Sequence, residues 1–182
     1  MLFNSYIFIF VFLPLTLGSY YGLHKLGKPV FAKIALILMS FWFYGYFNPN
    51  YLWIMCSSII VNYLLSQLLQ RKWEMSAAQI AVLKKSLLAI GLIFNLGLIF
   101  YFKYYDFFVD NLNKVFSTDF QLKNIVLPLG ISFFTFQQVS YMVDSYRGET
   151  KEYNFADYAL FVTFFPQLIA GPIVLHNEVL PQ

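Results

Sequence analysis

Four apolar runs of helix length, each bounded by polar residues, divide the first part of the chain at about 5–23, 31–47, 51–69 and 86–102. At about 1.5 Å per residue, such runs match a hydrocarbon core about 30 Å thick, so each predicts a membrane-spanning helix. A fifth run, about Ile125 to Tyr146, is less uniform because glutamines, serines and an aspartate interrupt it. A sixth, Tyr158 to Leu175, is broken by Pro166 and by Gly171-Pro172. The pattern predicts an all-α, polytopic transmembrane protein of about five to six segments, with breaks near Pro128 and Pro166. The first run contains Pro14, a kink site. Nothing basic precedes it and no Ala-x-Ala-like site follows, so it reads as a retained helix rather than a cleaved leader.

The polar interruptions are patterned. Wound at about 100° per residue, Ile131 to Arg147 brings Gln137, Ser140, Tyr141, Asp144 and Arg147 into a sector of about 120°. Phe136, Val139, Met142, Val143 and Tyr146 fall opposite. Lipid cannot satisfy polar groups, so the stripe must meet other helices or a hydrated cavity. Asp144 and Arg147, spaced i, i+3, are able to pair. Interhelical hydrogen bonding that only holds a bundle together is one reading, and a tunnel or binding wall is the other. Leu127-Pro128-Leu129-Gly130 before this helix, and Phe164 to Ile173 with its two prolines and Gln167, predict broken segments that wall a pocket or serve as packing kinks. Asn62 and Asn95, both within apolar runs, are expected to bond across helices.

Composition sharpens the class. The 182 residues are 59% hydrophobic and 21% aromatic but 12% charged, about half the charged share of a typical soluble domain. The net charge of +3 lies in short clusters at the ends of apolar runs, which speaks for membrane topology and against a nucleic-acid partner. With the N-terminus outside, the inner connections hold nine basic residues: Lys25, Lys28, Lys33, Arg71, Lys72, Lys84, Lys85, Arg147 and Lys151. The outer connections hold three, Lys103, Lys114 and Lys123. Tyr and Trp residues around Asn48-Pro49-Asn50 and at Tyr101, Tyr104 and Tyr105 form an interfacial belt on the outer side. One cysteine, Cys56, excludes a disulfide framework and a cysteine-rich metal site. Neither His24, at a span end, nor His176 has a nucleophile or orienting acid beside it, so neither is taken as catalytic. Phosphate loops, paired catalytic carboxylates and metal-ligand spacings are lacking; no metal and no bound cofactor are expected.

LPLGISFFTFQQVSYMVDSYRGE, followed by FADYALFVTFFPQLIAGPI and preceded by MLFNSYIFIFVFLPL and FWFYGYFNPNYLWIMCSSIIVNYLL, resembles the membrane-bound O-acyltransferase (MBOAT) family, in order from Met1 to Gln182. The alginate O-acetyltransferase type is the nearest pattern, with the D-alanyl-transfer proteins of teichoic acids as cousins. The resemblance implies helical enzymes around a membrane tunnel that carry an acyl group to a hydroxyl or to a partner transferase. It implies a cytoplasmic thioester donor such as acetyl-CoA as co-substrate, an extracytoplasmic partner or polysaccharide acceptor, and the inner (plasma) membrane. The family's catalytic histidine lies well downstream of the AGPI-type motif, so it is expected beyond Gln182 and has no counterpart in 1–182. The chain is therefore expected to be the N-terminal part of one MBOAT-type domain, inactive by itself, contributing tunnel residues among Gln137, Ser140, Tyr141, Asp144, Arg147 and Gln167. Transfer of D-alanyl or other acyl groups, or a transporter-like module, are the alternatives.

Overall fold

A computed structural model describes residues 3–46, 48–150 and 153–170, the last three of these by backbone alone. Its described residues form helices and no strand. A π-helical turn, Phe8–Phe12, runs directly into α1 (Leu13–Lys25), so Pro14 lies inside a continuous helix, just after a widened turn that makes room for its ring and missing N–H. Then come α2 (Pro29–Gly45), α3 (Leu52–Gln70), α4 (Ala77–Ile99), α5 (Tyr105–Phe116), α6 (Ile131–Arg147), α7 (Phe155–Thr163) and α8 (Phe165–Ala170). Ser76 caps α4 in a reciprocal box with Gln79, and Asn154 caps α7 through the amide of Asp157.

Side-chain contacts fix the helix directions. Ser58 meets Gln138 and Gln70 meets Ser145, so α3 and α6 run parallel; Asn62 meets Asn95 while Leu65, farther along α3, faces Gly91, so α4 runs against both. Lys33 pairs with Asp157 at 2.6 Å at one end of α2 and α7, while Phe43 packs on Phe165 farther along. Two buried clusters result. One joins α2, α3, α6 and α7 through Tyr44, Ile59, Phe134, Tyr141 and Phe161; the other gathers Phe8, Phe12, Phe43 and Phe165. Most phenylalanine pairs of the second meet edge to face or tilted, for example Phe12 on Phe165 at 5.0 Å, while Phe8 and Phe12 are stacked. Many large side chains on the outer surface are apolar and exposed, among them Phe10, Leu38, Leu64 and Ile93, as lipid-facing positions require.

Among the described residues, two helices are long and apolar enough to cross a membrane, Pro49–Gln70 and Ala77–Phe116. The second departs from expectation: Ala77–Ile99 continues through a π-helical turn, Phe100–Tyr104, into α5 as one element of 40 residues, where the hydropathy pattern predicts a span of 86–102. Nothing in Lys103 to Asp106 breaks a helix, so the change in polarity there does not end it. The fifth segment begins later than expected, at Ile131, because Gly130 adopts the left-handed region at φ 67°. In the sixth, the break comes at Phe164, and Pro166 occupies the first turn of α8. The Gly171-Pro172 break, His176 and the stretch onward to Gln182 lie outside the described residues, as does Lys151.

The segment between α5 and α6 is extended yet firmly tied. Asp106 accepts from the backbone amides of Lys123 and Ile125 at 2.8 and 2.9 Å, and Tyr51 donates to the carbonyl of Val126 at 2.6 Å. The Lys123 ammonium lies 4.9 and 4.7 Å from the ring centres of Tyr101 and Tyr105. Of the aromatic residues expected in one interfacial belt, Tyr51, Tyr101 and Tyr105 thus meet the same segment, whereas Tyr44 is buried in the core.

Candidate functional site

Helix α6 is enclosed on three sides, by α3, α4 and α7. Glycine bounds it at both ends: Gly148, at φ 76°, closes the helix as Glu149 donates its amide to the Asp144 carbonyl at 3.0 Å. Such enclosure buries Thr135, Gln137, Gln138, Tyr141 and Ser145 together.

A hydrogen-bonded network connects α6 to α3 and α4. The Ser58 hydroxyl donates to Gln138 Oε1 at 3.0 Å. Asn62 and Asn95 exchange amide bonds, Asn62 Nδ2 to Asn95 Oδ1 at 3.2 Å and Asn95 Nδ2 to Asn62 Oδ1 at 2.6 Å, and both are fully buried. Each asparagine also donates to the carbonyl four residues earlier, Ser58 and Gly91 respectively. Gly91 is itself a contact point, because Met142 of α6 lies over it; a Cβ there would fall 2.2 Å from Met142 Sδ.

Not every polar atom of α6 joins this network. Gln137 Nε2, Gln138 Nε2 and Thr135 Oγ1 are buried and have no hydrogen-bond partner among the described residues; the same holds for Tyr44 and Ser40 on α2, Ser66 on α3 and Tyr158 on α7. Tyr158 packs at a tilt against Tyr141, with ring centres 4.8 Å apart, and against Tyr63 at 5.5 Å, so aromatic rings fill the space between α3, α6 and α7. A buried polar group left unpaired costs about 1–3 kcal/mol.

The six residues singled out from sequence are not equivalent. Gln137 and Tyr141 are buried at 2% and 0% exposure, and Gln167 at 8% on α8, which packs on α2 and α6. Leu129, in the first break, packs against the cluster that includes Phe165 of the second, so the two broken segments converge. Ser140 and Asp144 are half-buried, and Arg147 is exposed. Asp144 and Arg147 do not form the expected pair; the ion pairs among the described residues are Lys33 with Asp157 and Lys114 with Asp110. The helix ends at Arg147, which lets its side chain turn outward to water. Met142, expected on the outer face, is fully buried against Gly91 because α4 covers that side. The catalytic histidine that the family resemblance expects beyond Gln182 has no place among the described residues, which end at Ala170.

Gln138, Ser145 and Ser58 escape the sequence reading. A signal exists: Ser58, Asn62 and Ser66 recur every fourth residue on α3 and form one buried polar stripe. Among the described residues no group of His, Cys, Asp and Glu could hold a metal ion. His24 is exposed at the end of α1 beside Tyr20, and Cys56 borders an apolar cavity of about 340 Å³ between α2, α3 and α7.

Comparison with known proteins decides the affiliation. The whole chain aligns with a peptidoglycan O-acetyltransferase of Helicobacter pylori at 39% identity, covering 38% of that protein. It aligns equally completely, at 34% identity, with probable alginate O-acetylases AlgI of Pseudomonas aeruginosa and Azotobacter vinelandii, covering 34% and 36% of them. This chain is MBOAT-like. The resemblance seen in the sequence motifs is borne out from end to end, and the match is to the N-terminal part of these relatives. The MBOAT-like chain spans just over a third of their length. No protein-family profile and no solved structure matches it. Its apolar helices and these relatives together mark a membrane protein.

Proposed function

We propose that the chain forms the N-terminal part of an enzyme that transfers acetyl groups to a polysaccharide of the cell envelope. The observation that carries this is the alignment of the whole chain with relatives named for O-acetylation of peptidoglycan and of alginate. Both names point to glycan hydroxyls as acceptors. In such a transfer the acceptor hydroxyl oxygen attacks the thioester carbonyl, the C–O bond forms, the C–S bond breaks, and the thiol leaves with the proton. The donor is a cytoplasmic acyl thioester such as acetyl-CoA, and the base belongs to the part of the relatives that this chain does not cover, beyond the position of Gln182.

The role assigned to this chain is to wall the acyl path. Gln137, Tyr141 and Gln167 are the buried members of the candidate set, beside unpaired polar atoms on α2, α6 and α7. A passage lined in this way excludes bulk water and fixes donor and acceptor in line. In the full-length protein, Gln137→Leu and Tyr141→Phe are expected to lower acetyl transfer to a glycan acceptor about tenfold or more while thermal unfolding in detergent changes little. Wild-type specific activity in both variants would remove α6 from the path.

The arrangement in the membrane is part of the same proposal: five to six segments, an outside N-terminus, and the ends bearing Arg71 and Arg147 in the cytoplasm of an inner-membrane protein. The nine to three division of basic residues supports it. Single cysteines at Asn50 and Ser76, in a Cys56→Ser background, are expected to react with a membrane-impermeant maleimide from opposite sides. Reaction of both from one side would overturn the topology.

A further inference from the structure

A groove of about 660 Å³ runs along the C-terminal end of α3, bordered by Leu64, Gln67, Leu68, Gln70, Arg71 and Lys72. Its chemistry is graded. Leu64 and Leu68 supply an apolar wall, the amides of Gln67 and Gln70 follow, and the two cations stand at the rim where the helix ends. From Leu64 to Arg71 the helix rises about 10 Å, the depth from a phospholipid phosphate to the upper part of its acyl chains. The rim is held in place: the Trp73 indole donates to the Leu68 carbonyl at 3.2 Å, and the Arg71 guanidinium stacks on the Trp73 ring at 4.8 Å. Gln70 donates to Ser145 of α6 at 3.1 Å, so the groove is anchored to the neighbouring helix. Among the described residues neither Arg71 nor Lys72 forms an ion pair, and the nearby acid Glu74 is exposed and is not joined to either.

We propose that this groove is a binding site for an anionic glycerophospholipid, with the phosphate held by Arg71 and Lys72 and an acyl chain lying against Leu64 and Leu68. The two cations supply charge complementarity to the headgroup, the Gln67 amide borders the groove at the level of glycerol and ester oxygens, and Trp73 suits the interfacial depth. The proposal rests on the reading of α3 as a membrane span whose end lies at the interface, and is independent of acetyl transfer.

The test is native mass spectrometry of the full-length protein in detergent, with phosphatidylglycerol and phosphatidylcholine added in equal amounts. Retention of phosphatidylglycerol over phosphatidylcholine is expected, and in the Arg71→Gln/Lys72→Gln double variant the apparent affinity for phosphatidylglycerol is expected to fall on the order of twentyfold. Arg71→Lys should recover part of it. Acetyl transfer measured on the same samples separates a failed lipid site from a failed enzyme assignment. Equal retention of the two lipids, or wild-type retention in the double variant, would overturn the proposal. Displacement of phosphatidylglycerol by millimolar glycerol phosphate would also overturn it, since the site would then take a small soluble anion rather than a lipid.

Discussion

Gly91→Ala is expected to destabilise the protein by about 1–3 kcal/mol, although alanine is the better helix former by up to about 1 kcal/mol. The two effects oppose each other, and packing decides the sign. The new Cβ would lie 2.2 Å from Met142 Sδ, 2.5 Å from its Cε and 3.3 Å from Leu65 Cδ1. Methionine is flexible, but this one is fully buried and has to displace its neighbours to move. Gly91→Leu should exceed the range for alanine and part α4 from α6. The check is thermal unfolding in detergent of Gly91→Ala in two backgrounds. With Met142 present the substitution should lower the midpoint; in Met142→Ala, which is itself costly, the same substitution should be neutral or stabilising because the helix-propensity gain is no longer opposed. Equal effects in both backgrounds would mean that the close approach of α4 and α6 through Gly91 is not what the site requires.

The second large effect is expected at the paired amides. Asn95→Leu removes both hydrogen bonds of the reciprocal pair with Asn62 and leaves the Asn62 side-chain oxygen buried without that donor, at a cost of about 1–3 kcal/mol. Interhelical hydrogen bonds in membranes are individually worth about 0.6 kcal/mol on average, so the penalty comes mainly from the stranded partner rather than from the bond itself. It follows that Asn62→Leu/Asn95→Leu should cost less than the sum of the two single changes. A double-mutant cycle on unfolding midpoints measures this directly. Strict additivity would indicate that the two amides do not depend on each other, contrary to their 2.6 Å contact.

Several features are legible in the sequence because they follow from local chemistry. The span 51–69 is bounded within a few residues, since Asn48-Pro49-Asn50 and Arg71 are unambiguous stops, and Asn48 does cap the turn that starts the helix. The break before Ile131 is readable from Pro128 and Gly130, whose backbone demands admit few alternatives. The need of Asn62 and Asn95 for partners is readable too, because an amide in an apolar run has to be satisfied by another helix. The motifs of α6 and the segment after it carry the likeness to the O-acyltransferases.

Partnership is not legible. The helical wheel of α6 treats one face as polar and the opposite as lipid-facing, yet three neighbours cover this helix, so Met142 is as buried as Tyr141 and the two adjacent glutamines turn to different surroundings. A wheel records angles about one axis and contains no information on how many helices surround it. The Asp144 and Arg147 spacing permits a pair, but the helix terminus lets Arg147 reach solvent, where an ion pair gains little. Hydropathy likewise places a boundary near Phe102 that the backbone ignores, because polarity ends a membrane span without ending a helix. The chain alone thus determined helix content, breaks and the residues that must not face lipid, all consequences of backbone geometry and solvation. Which of those residues bond to one another, which polar atoms of Gln137 and Gln138 stay without a partner among the described residues, and that Met142 rests on Gly91 were decided by the tertiary structure, since they depend on distances between segments far apart in sequence.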